Sequence, residues 1–346
     1  MTTGLNVLVT GAGGFLGRHV VDALLARGHR VRAMARPASR VGFPEGVEVV
    51  RADLRVSRDL ASAFDGVDVL VHLAAAVTGD EDAQFAAGVV GTERLFAAMD
   101  HSETRRVVLA SSFSVYDWGR VRGTLDENSP VETGTRLYDR DGYAVAKVWQ
   151  ERVARRETAR LGRELVVLRP GFIWGEGHAD LACLGQRVGP FHLVFGPGGR
   201  IPLTYVENCA ECFALAADSP AAAGDTFNVV DSDDVTIGPY LGDYLRRSGR
   251  RGLRVPIPYL AALAATKASQ AGSRLIFRGK GKLPSLLVPR RFEARFKPLR
   301  FPNRKAREVL GWAPGVSYRE ALERTHGGGP SPSNFSRPPS PVATPQ

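Results

Sequence analysis

The stretch Thr10-Gly11-Ala12-Gly13-Gly14-Phe15-Leu16-Gly17 directly follows the apolar run Leu5-Asn6-Val7-Leu8-Val9. A short strand that passes through a glycine turn into a helix, predicted over residues 15–27, is an arrangement that binds pyrophosphate. Gly11 permits the tight turn, Gly14 lets the backbone approach the phosphates, and Gly17 lets the helix pack closely on its strand. The start of the helix then offers unpaired N–H groups to the anion. This stretch predicts a dinucleotide site.

Strand-like apolar runs alternate with helical patterns through the first half of the chain. The predicted strands cover residues 5–10, 30–36, 47–51, 67–72, 105–110 and 164–169, and the predicted helices cover residues 15–27, 57–64, 82–99 and 141–161. Such alternation is typical of parallel strands joined by right-handed crossovers, with helices on both faces of the sheet. We therefore expect an α/β fold with a doubly wound parallel (Rossmann) sheet of six or seven strands.

After residue 169 the alternation loosens. A helix at 205–217 and a strand at 225–230 are predicted to return to the sheet, so the Rossmann domain is expected over residues 1–170 and is completed by about 201–232. Residues 171–200 and 233–326 are expected to form a smaller, mostly helical C-terminal cap that binds the substrate, with short helices at 303–310 and 317–324. Residues 327–346 hold six of the 22 prolines and are predicted to be a disordered tail.

The composition, with 44% hydrophobic and 24% charged residues, is that of a globular protein. We see no leader segment, and every apolar run is shorter than the roughly 18 residues of a spanning helix, so a cytoplasmic location is expected. The cysteines Cys183, Cys209 and Cys212 do not make a disulfide framework or a zinc site, and small buried side chains are the simpler interpretation. No bound metal is expected.

Residues 246–307 form a basic region with 18 Lys or Arg side chains and a single acid, Glu293. A basic region favours nucleic acid, an anionic membrane surface or a phosphorylated substrate, or is simply a solvated face. No nucleic-acid-binding motif accompanies the charge, so nucleic acid ranks last. Contact with a membrane surface through residues 259–271 is a weaker hypothesis, because ordinary packing of a cap helix explains the same pattern.

Tyr143 and Lys147 are four residues apart on a predicted helix and so share one face. A phenol with a pKa near 10 is a poor base near neutrality. A nearby ammonium and an oxidised nicotinamide would favour the phenolate and lower that pKa. Ser112 follows the fifth predicted strand, where its hydroxyl could hold a substrate oxygen while Tyr143 exchanges the proton.

The end of the second strand bears on the choice of dinucleotide. An NAD-binding chain usually places an acid there for the adenosine ribose, but this chain has Ala35 followed by Arg36. A guanidinium at this position can pair with a 2′-phosphate, and Arg40 lies close behind. NADP(H) is therefore favoured, with NAD(H) as the alternative. Asp53, after the third strand, could meet the adenine edge.

Taken in order, these motifs resemble those of the extended short-chain dehydrogenases/reductases, the group that includes the NAD-dependent epimerase/dehydratase proteins. The resemblance spans residues 5 to about 325. It rests on the glycine turn at 10–17, Asp53-Leu54, His72-Leu73-Ala74-Ala75, Ser-Ser-x-x-Val-Tyr at 111–116, Tyr-x-x-x-Lys at 143–147, Arg169-Pro170-Gly171, Lys305-Ala306-Arg307 and Leu310-Gly311-Trp312-x-Pro314.

The resemblance implies a catalytic set of Ser112, Tyr143 and Lys147, in which Tyr143 is the acid/base and Lys147 holds the nicotinamide ribose. It also implies a homodimer formed through the helices at 82–99 and 141–161. The implied cofactor-binding residues are Thr10, Gly11, Gly14, Phe15, Leu16, Gly17, Arg36, Asp53, Leu54, Leu73, Ala74, Ala75, Tyr143, Lys147, Pro170, Gly171, Phe172 and Ile173.

Departures from the family patterns narrow the expected activity. Sugar-nucleotide dehydratases tend to carry Asp-Glu after the catalytic hydroxyl residue, where this chain has Phe113-Ser114. The form Arg169-Pro170-Gly171 resembles members like dihydroflavonol reductases and 3-beta-hydroxysteroid dehydrogenases. The leading prediction is an NAD(P)-dependent oxidoreductase for a small secondary alcohol or ketone. The alternative is a nucleotide-sugar epimerase with a retained NAD, whose substrate diphosphate the basic region would neutralise. A cofactor-binding protein without turnover would not need the Ser-Tyr-Lys set.

Overall fold

The computed structural model describes residues 4–250, 252–277 and 283–326. Its strands are β1 (Asn6–Thr10), β2 (Arg30–Ala35), β3 (Glu48–Arg51), β4 (Val69–His72), β5 (Arg106–Ala110), β6 (Glu164–Pro170), β7 (Phe172–Trp174), β8 (Gln186–Val188), β9 (Phe191–Phe195), β10 (Leu203–Tyr205), β11 (Thr226–Val229) and β12 (Leu253–Ile257). Its α-helices are α1 (Phe15–Ala26), α2 (Glu81–Phe85), α3 (Gly91–Met99), α4 (Gly142–Leu161), α5 (Val206–Asp218), α6 (Ile237–Arg247), α7 (Tyr259–Phe277), α8 (Pro289–Phe296), α9 (Arg304–Leu310) and α10 (Tyr318–His326). The predicted tail, residues 327–346, lies outside the described residues.

A seven-stranded parallel sheet in the order β11-β6-β5-β4-β1-β2-β3 forms the centre of the molecule. On β1, Val7 and Val9 pack with α1 and α5 on one face, and Leu8 packs with α3 and α4 on the other. Burial on both faces explains why these strands are almost wholly apolar. The prediction of a doubly wound sheet is confirmed. The strand order reverses between β1 and β4, and ligands bind at the carboxyl ends of the strands at such a switch point.

The helix predicted at 82–99 consists of α2, a π-helical turn over Ala86–Val90, and α3. The π-helical turn and α2 both pack against α4. Gly88 lies in this turn, and a Cβ added there would come within 3.3 Å of Ala146 Cβ on α4. Small residues therefore let the two elements approach closely, beside the start of α4 that carries Tyr143.

The prediction of a helix at 57–64 is wrong, because only Ser62–Phe64 of this range forms a helical turn, a short 3₁₀ turn. The Asp59 carboxylate accepts hydrogen bonds from the backbone N–H groups of Ala61 and Ser62. The Ser57 hydroxyl likewise accepts from the Asp53 backbone at 2.9 Å. Short polar side chains that form hydrogen bonds with the nearby backbone compete with helix formation. In this segment they replace the hydrogen bonds of the predicted helix.

The cap contains two small sheets besides its helices. Strand β7 pairs with β10, and β9 lies between β8 and β12. The sequence analysis missed all three strands between residues 171 and 200, because they are short and separated by Gly and Pro. The cap core gathers aromatic side chains from both its helices and its strands, including Trp174, Tyr205, Tyr240, Phe292 and Phe296. Helix α9 instead joins the core around α1 and α5 through Ala306, Leu310 and the following Trp312.

Helix α7 packs into the cap through Ala262 and Leu263 and exposes Leu260, Leu275 and Ile276. Within the described ranges, no helix combines the length and apolar character needed to cross a membrane. Cys209 and Cys212 are completely buried on α5, as expected for small core side chains.

Candidate active site

The glycine turn between β1 and α1 has the backbone geometry that its sequence predicts. Gly11 has φ of 70°, and a Cβ added there would come within 2.9 Å of the Ala74 backbone nitrogen. A Cβ on Gly17 would come within 2.2 Å of the Gly11 carbonyl oxygen, so only glycine lets α1 approach the turn this closely. Gly14 is the exposed N-cap of α1, and no side chain caps this helix start. This uncapped helix start fits the pyrophosphate of a dinucleotide.

The ends of neighbouring strands meet at this turn. Leu73 and Ala74 continue from β4 and lie against Gly11. The loop after β2 covers the other side, because a Cβ on Gly13 would come within 2.8 Å of Ser39 Oγ. Gly171 directly follows β6 and lies against the backbone of Pro202. A Cβ added to Gly171 would come within 2.0 Å of the Pro202 carbonyl oxygen, so only glycine fits there.

Arg36 and Asp53 are neighbours at the outer end of this cleft. The Asp53 carboxylate receives hydrogen bonds of 3.0 and 2.7 Å from the Arg55 guanidinium. These bonds lower the pKa of Asp53 to about 2, and the charge of Arg36 acts in the same direction. Arg36 itself is exposed. Leu54 is buried in the sheet core, and its carbonyl oxygen accepts a hydrogen bond from Arg94 Nη1 at 3.0 Å.

Ser112, Tyr143 and Lys147 come together at the carboxyl end of β5. Ser112 begins the 3₁₀ turn Phe113–Val115, and its Oγ accepts from the Ser114 N–H at 3.1 Å. Asp141 caps α4, which places the Tyr143 hydroxyl within hydrogen-bonding reach of Ser112. One turn further along α4, Lys147 Nζ donates to the carbonyl oxygen of Ala110, the last residue of β5, at 2.6 Å.

The pKa of Tyr143 differs from the sequence-based expectation. Burial raises it to about 12, the hydrogen bond with Ser112 opposes this rise, and the charge of Asp141 adds to it. Lys147 Nζ lies 5.9 Å from the centre of the tyrosine ring, and its charge does not outweigh burial in the protein alone. Burial also lowers the pKa of Lys147 to about 8, against the opposing charge of Glu151. At neutral pH the tyrosine is therefore a phenol, suited to donate a proton.

The sequence analysis missed a buried polar network behind Lys147. Its members are Thr10, His72, Thr92 and Gln150, all of which are at most 1% exposed. His72 Nδ1 lies 2.6 Å from Thr10 Oγ1, and His72 Nε2 lies 2.8 Å from Thr92 Oγ1. The one available signal was a histidine and a threonine placed among apolar core residues.

A second buried group, also missed, joins α4 to β6. Glu151 accepts hydrogen bonds from Arg169 Nε at 2.8 Å and Nη2 at 2.7 Å, and Ser111 Oγ donates to the same carboxylate. The Arg169 guanidinium also lies 4.8 Å from the centre of the Tyr116 ring. Arg169 is thus paired with Glu151, a contact that the Arg-Pro-Gly motif does not indicate.

The cap contacts the glycine turn at one point and two buried acidic side chains that follow β5 at another. The ring of His178 stacks on Phe15 of the glycine turn, with centroids 3.8 Å apart and planes 10° apart. On α8, Arg290 Nη2 lies 2.9 Å from Asp117 and 2.6 Å from Glu132, both buried. Part of the basic region is therefore neutralised by structural ion pairs, including those of Arg246, Arg250, Arg290, Lys297, Arg304 and Lys305.

Comparison with known proteins agrees with this fold. The model of the NAD dependent epimerase/dehydratase family matches residues 7–230. A "3 beta-hydroxysteroid dehydrogenase/Delta 5-->4-isomerase" of Mycobacterium tuberculosis is 31% identical, over 93% of this chain and 90% of its own. A "4-hydroxy-2-methyl-3-oxo-4-farnesyl-3,4-dihydroquinoline-1-oxide ketoreductase" of Stigmatella aurantiaca is 30% identical, over 94% of this chain and 97% of its own. A solved short-chain dehydrogenase/reductase superfamily protein of Agrobacterium tumefaciens with bound NAD shares the fold, with a TM-score of 0.67 and 23% identity over 93% of this chain and 96% of that chain.

Proposed function

The chain belongs to the NAD-dependent epimerase/dehydratase family, and on that premise we propose that it interconverts a ketone and a secondary alcohol on a small-molecule substrate. The observation that carries the proposal is the placement of Ser112 and Tyr143 next to each other and beside Lys147, at the sheet edge that also holds the glycine turn. A protein that only binds a dinucleotide has no need of a proton donor there.

Each of these side chains has a distinct role in the proposal. Ser112 holds the substrate oxygen, Tyr143 transfers its proton, and Lys147 positions the nicotinamide ribose. When bound, the nicotinamide supplies or accepts the hydride. Because burial keeps Tyr143 protonated at neutral pH, the protein alone is set for reduction, in which the phenol donates its proton to the ketone oxygen.

The proposed dinucleotide contacts are the glycine turn with the uncapped start of α1, the end of β4 and the segment after β6. The turn fits the pyrophosphate because Gly11 and Gly17 let the end of β4 and the start of α1 approach each other closely, with the uncapped helix start exposed at Gly14. The proposed residues are Thr10, Gly11, Gly14, Phe15, Leu16, Gly17, Leu73, Ala74, Ala75, Pro170, Gly171, Phe172 and Ile173. Contact between two copies through α2, α3 and α4 remains a prediction.

The second candidate, a nucleotide-sugar epimerase, is favoured by Arg295 on α8. Arg295 is half-buried and donates to Ser285 Oγ at 3.3 Å. Among the described residues it forms no ion pair, although the charge of Asp141 acts on it. Arg291, one turn earlier on the same face, donates to the carbonyl oxygens of Asp139 and Arg140 just before α4. An anionic substrate group is thus a suitable partner for Arg295, and a diphosphate is one such group.

Acid release and identification of the bound nucleotide tests the proposal against this alternative. We expect an exchangeable dinucleotide and reduction of at least one ketone from a panel, with stoichiometric oxidation of NADPH or NADH. Tightly retained NAD, together with interconversion of nucleotide sugars and no net oxidation of added dinucleotide, would instead establish the epimerase.

NADP(H) is the proposed form of the cofactor, because an exposed guanidinium follows β2 where NAD-binding chains place an acid. Arg36→Ala is expected to weaken NADPH binding about tenfold or more and NADH binding by less than about twofold, since only NADPH carries the 2′-phosphate. Fluorescence titration of both dinucleotides measures this difference. Arg58→Ala is a control for a general loss of positive charge. Equal effects of Arg36→Ala on the two dinucleotides would remove Arg36 from cofactor selection.

A further inference from the structure

The buried network behind Lys147 has a direction that can be read from its donors and acceptors. Lys147 Nζ donates to Gln150 Oε1 at 2.8 Å. The other end of the same amide, Gln150 Nε2, lies 3.0 Å from Thr92 Oγ1 and 3.3 Å from the Ala74 carbonyl oxygen. If the amide were turned over, its NH₂ group would face an ammonium and its oxygen would face a carbonyl. Gln150 therefore has one allowed orientation.

The same accounting gives His72 one donor nitrogen and one acceptor nitrogen. Thr92 Oγ1 donates its one proton to the Gly88 carbonyl at 2.6 Å, so it can only accept from its other neighbours. His72 Nε2 also lies 3.1 Å from Gln150 Nε2, so the ring has two arrangements. It donates to Thr92 from Nε2 and accepts the Thr10 hydroxyl at Nδ1, or it accepts from Gln150 at Nε2 and donates to Thr10 from Nδ1. Burial lowers the pKa of His72 to about 3, with a smaller contribution from Lys147, so the imidazole is neutral and can fill both roles.

The network connects two parts of the candidate site. Thr10 immediately precedes the glycine turn, and its Oγ1 accepts from the Ala74 N–H at 3.4 Å. Lys147 uses two of its three N–H groups inside the protein, on Ala110 and Gln150, which leaves one for a ligand in the cleft. The direction of that last N–H depends on where Gln150 holds the amine.

We infer that Gln150 is a positioning residue, whose amide, anchored on Thr92 and Ala74, holds the Lys147 ammonium in place beside the dinucleotide cradle. The effect of Gln150 on turnover rests on the proposed function, whereas its effect on the position of Lys147 does not. Gln150 lies three residues after Lys147 on α4, within reach of the same helix face, and is 1% exposed. No solvent competes for its hydrogen bonds.

Gln150 affects the charge of Lys147 as well as its position. The titratable groups acting on Lys147 in the described part of the chain are Glu151 on α4, the neutral His72 on β4, and the ring of Tyr143. Burial lowers the pKa of Lys147, and Glu151 opposes this. The amide oxygen of Gln150 stabilises the charged amine in direct contact. Loss of that oxygen should lower the pKa of Lys147 further, and a carboxylate in its place should raise it.

The titration of Lys147 tests this inference without any substrate. The chain has six lysines, Lys147, Lys267, Lys280, Lys282, Lys297 and Lys305, so lysine labelled with ¹³C at Cε gives a spectrum simple enough to assign. The signal lost in Lys147→Arg identifies Lys147. Relative to the wild type, we expect a lower titration midpoint in Gln150→Met and a higher one in Gln150→Glu. Midpoints that stay unchanged or move in the same direction in both variants would overturn the inference.

Dinucleotide affinity gives a second readout. Gln150→Met is expected to weaken NADPH or NADH binding about ten- to hundredfold, the range for losing a hydrogen bond to a charged group. The exposed Gln186 on β8 supplies the control, and Gln186→Met should leave affinity unchanged. If Gln150→Met does not fold, Thr92→Val, which removes an anchor of the amide, is expected to shift the Lys147 midpoint downward, and no shift there would overturn the inference. Opposite shifts without reduction of any ketone would leave the positioning role standing and refute the proposed function.

Discussion

Tyr143→Phe is expected to lower kcat for ketone reduction about a thousandfold or more, and to change dinucleotide affinity by less than about threefold. The phenol hydroxyl is the one acidic group in hydrogen-bonding reach of Ser112 at this sheet edge among the described residues. Positioned proton transfer contributes about 10² to 10⁴ to a rate, and phenylalanine keeps the ring while removing the proton. Steady-state kinetics and a fluorescence titration of the dinucleotide measure the two quantities.

The matched control is Tyr138→Phe. Tyr138 is 61% exposed and lies five residues before Tyr143, so the same chemical change should leave kcat unaltered. Turnover retained in Tyr143→Phe would remove this residue from the proton-transfer step. A large loss of dinucleotide affinity in Tyr143→Phe would instead mean that the hydroxyl serves mainly to bind the cofactor.

The parts of the molecule that the sequence predicts well are those in which the signal is local. The glycine turn is one case: Gly11 and Gly17 are required by atoms within the turn itself and by the adjoining end of β4. All seven strands of the central sheet are predicted to within about two residues of their observed ends, because each is a compact apolar run. Tyr143 and Lys147 are found because one helical turn separates them.

The parts that could not be predicted depend on contacts between distant residues. Gln150 meets Ala74 and Thr92 across 76 and 58 residues of chain, and Arg169 meets Glu151 across 18. Nothing local in the sequence marks these side chains as partners. The helix predicted at 57–64 did not form for the converse reason. Its apolar pattern was local, but the backbone N–H groups of Ala61 and Ser62 donate to the Asp59 carboxylate instead.

The pKa of Tyr143 also depends on contacts that the local sequence does not reveal. The spacing of Tyr143 and Lys147 indicates that an ammonium acts on the phenol, but the degree of burial cannot be read from spacing. Burial raises the pKa of the tyrosine and lowers that of the lysine, so both groups are driven towards their neutral forms. A bound dinucleotide with a positively charged ring is the condition under which the sequence-based expectation of a phenolate would hold.

The largest expected effect on stability comes from Glu151→Leu. Glu151 and Arg169 are each 4% exposed and are joined by two hydrogen bonds, so the substitution leaves a buried guanidinium without its carboxylate. Burial alone would raise the pKa of Glu151, but the hydrogen bond and charge of Arg169 outweigh it and keep the carboxylate ionised. Breaking one side of such a pair costs about 3–5 kcal/mol, and urea unfolding should show a loss of this size.

Two comparisons show whether the loss comes from the unpaired charge. Arg156 and Glu93 form an ion pair of 3.3 Å whose side chains are 62% and 47% exposed, and Glu93→Leu should cost less than about 1 kcal/mol. The double variant Glu151→Leu/Arg169→Met should be more stable than Glu151→Leu alone, because it removes the uncompensated guanidinium while keeping apolar contact with Tyr116. A double variant that is less stable than Glu151→Leu would show that Arg169 stabilises the fold mainly through contacts other than Glu151.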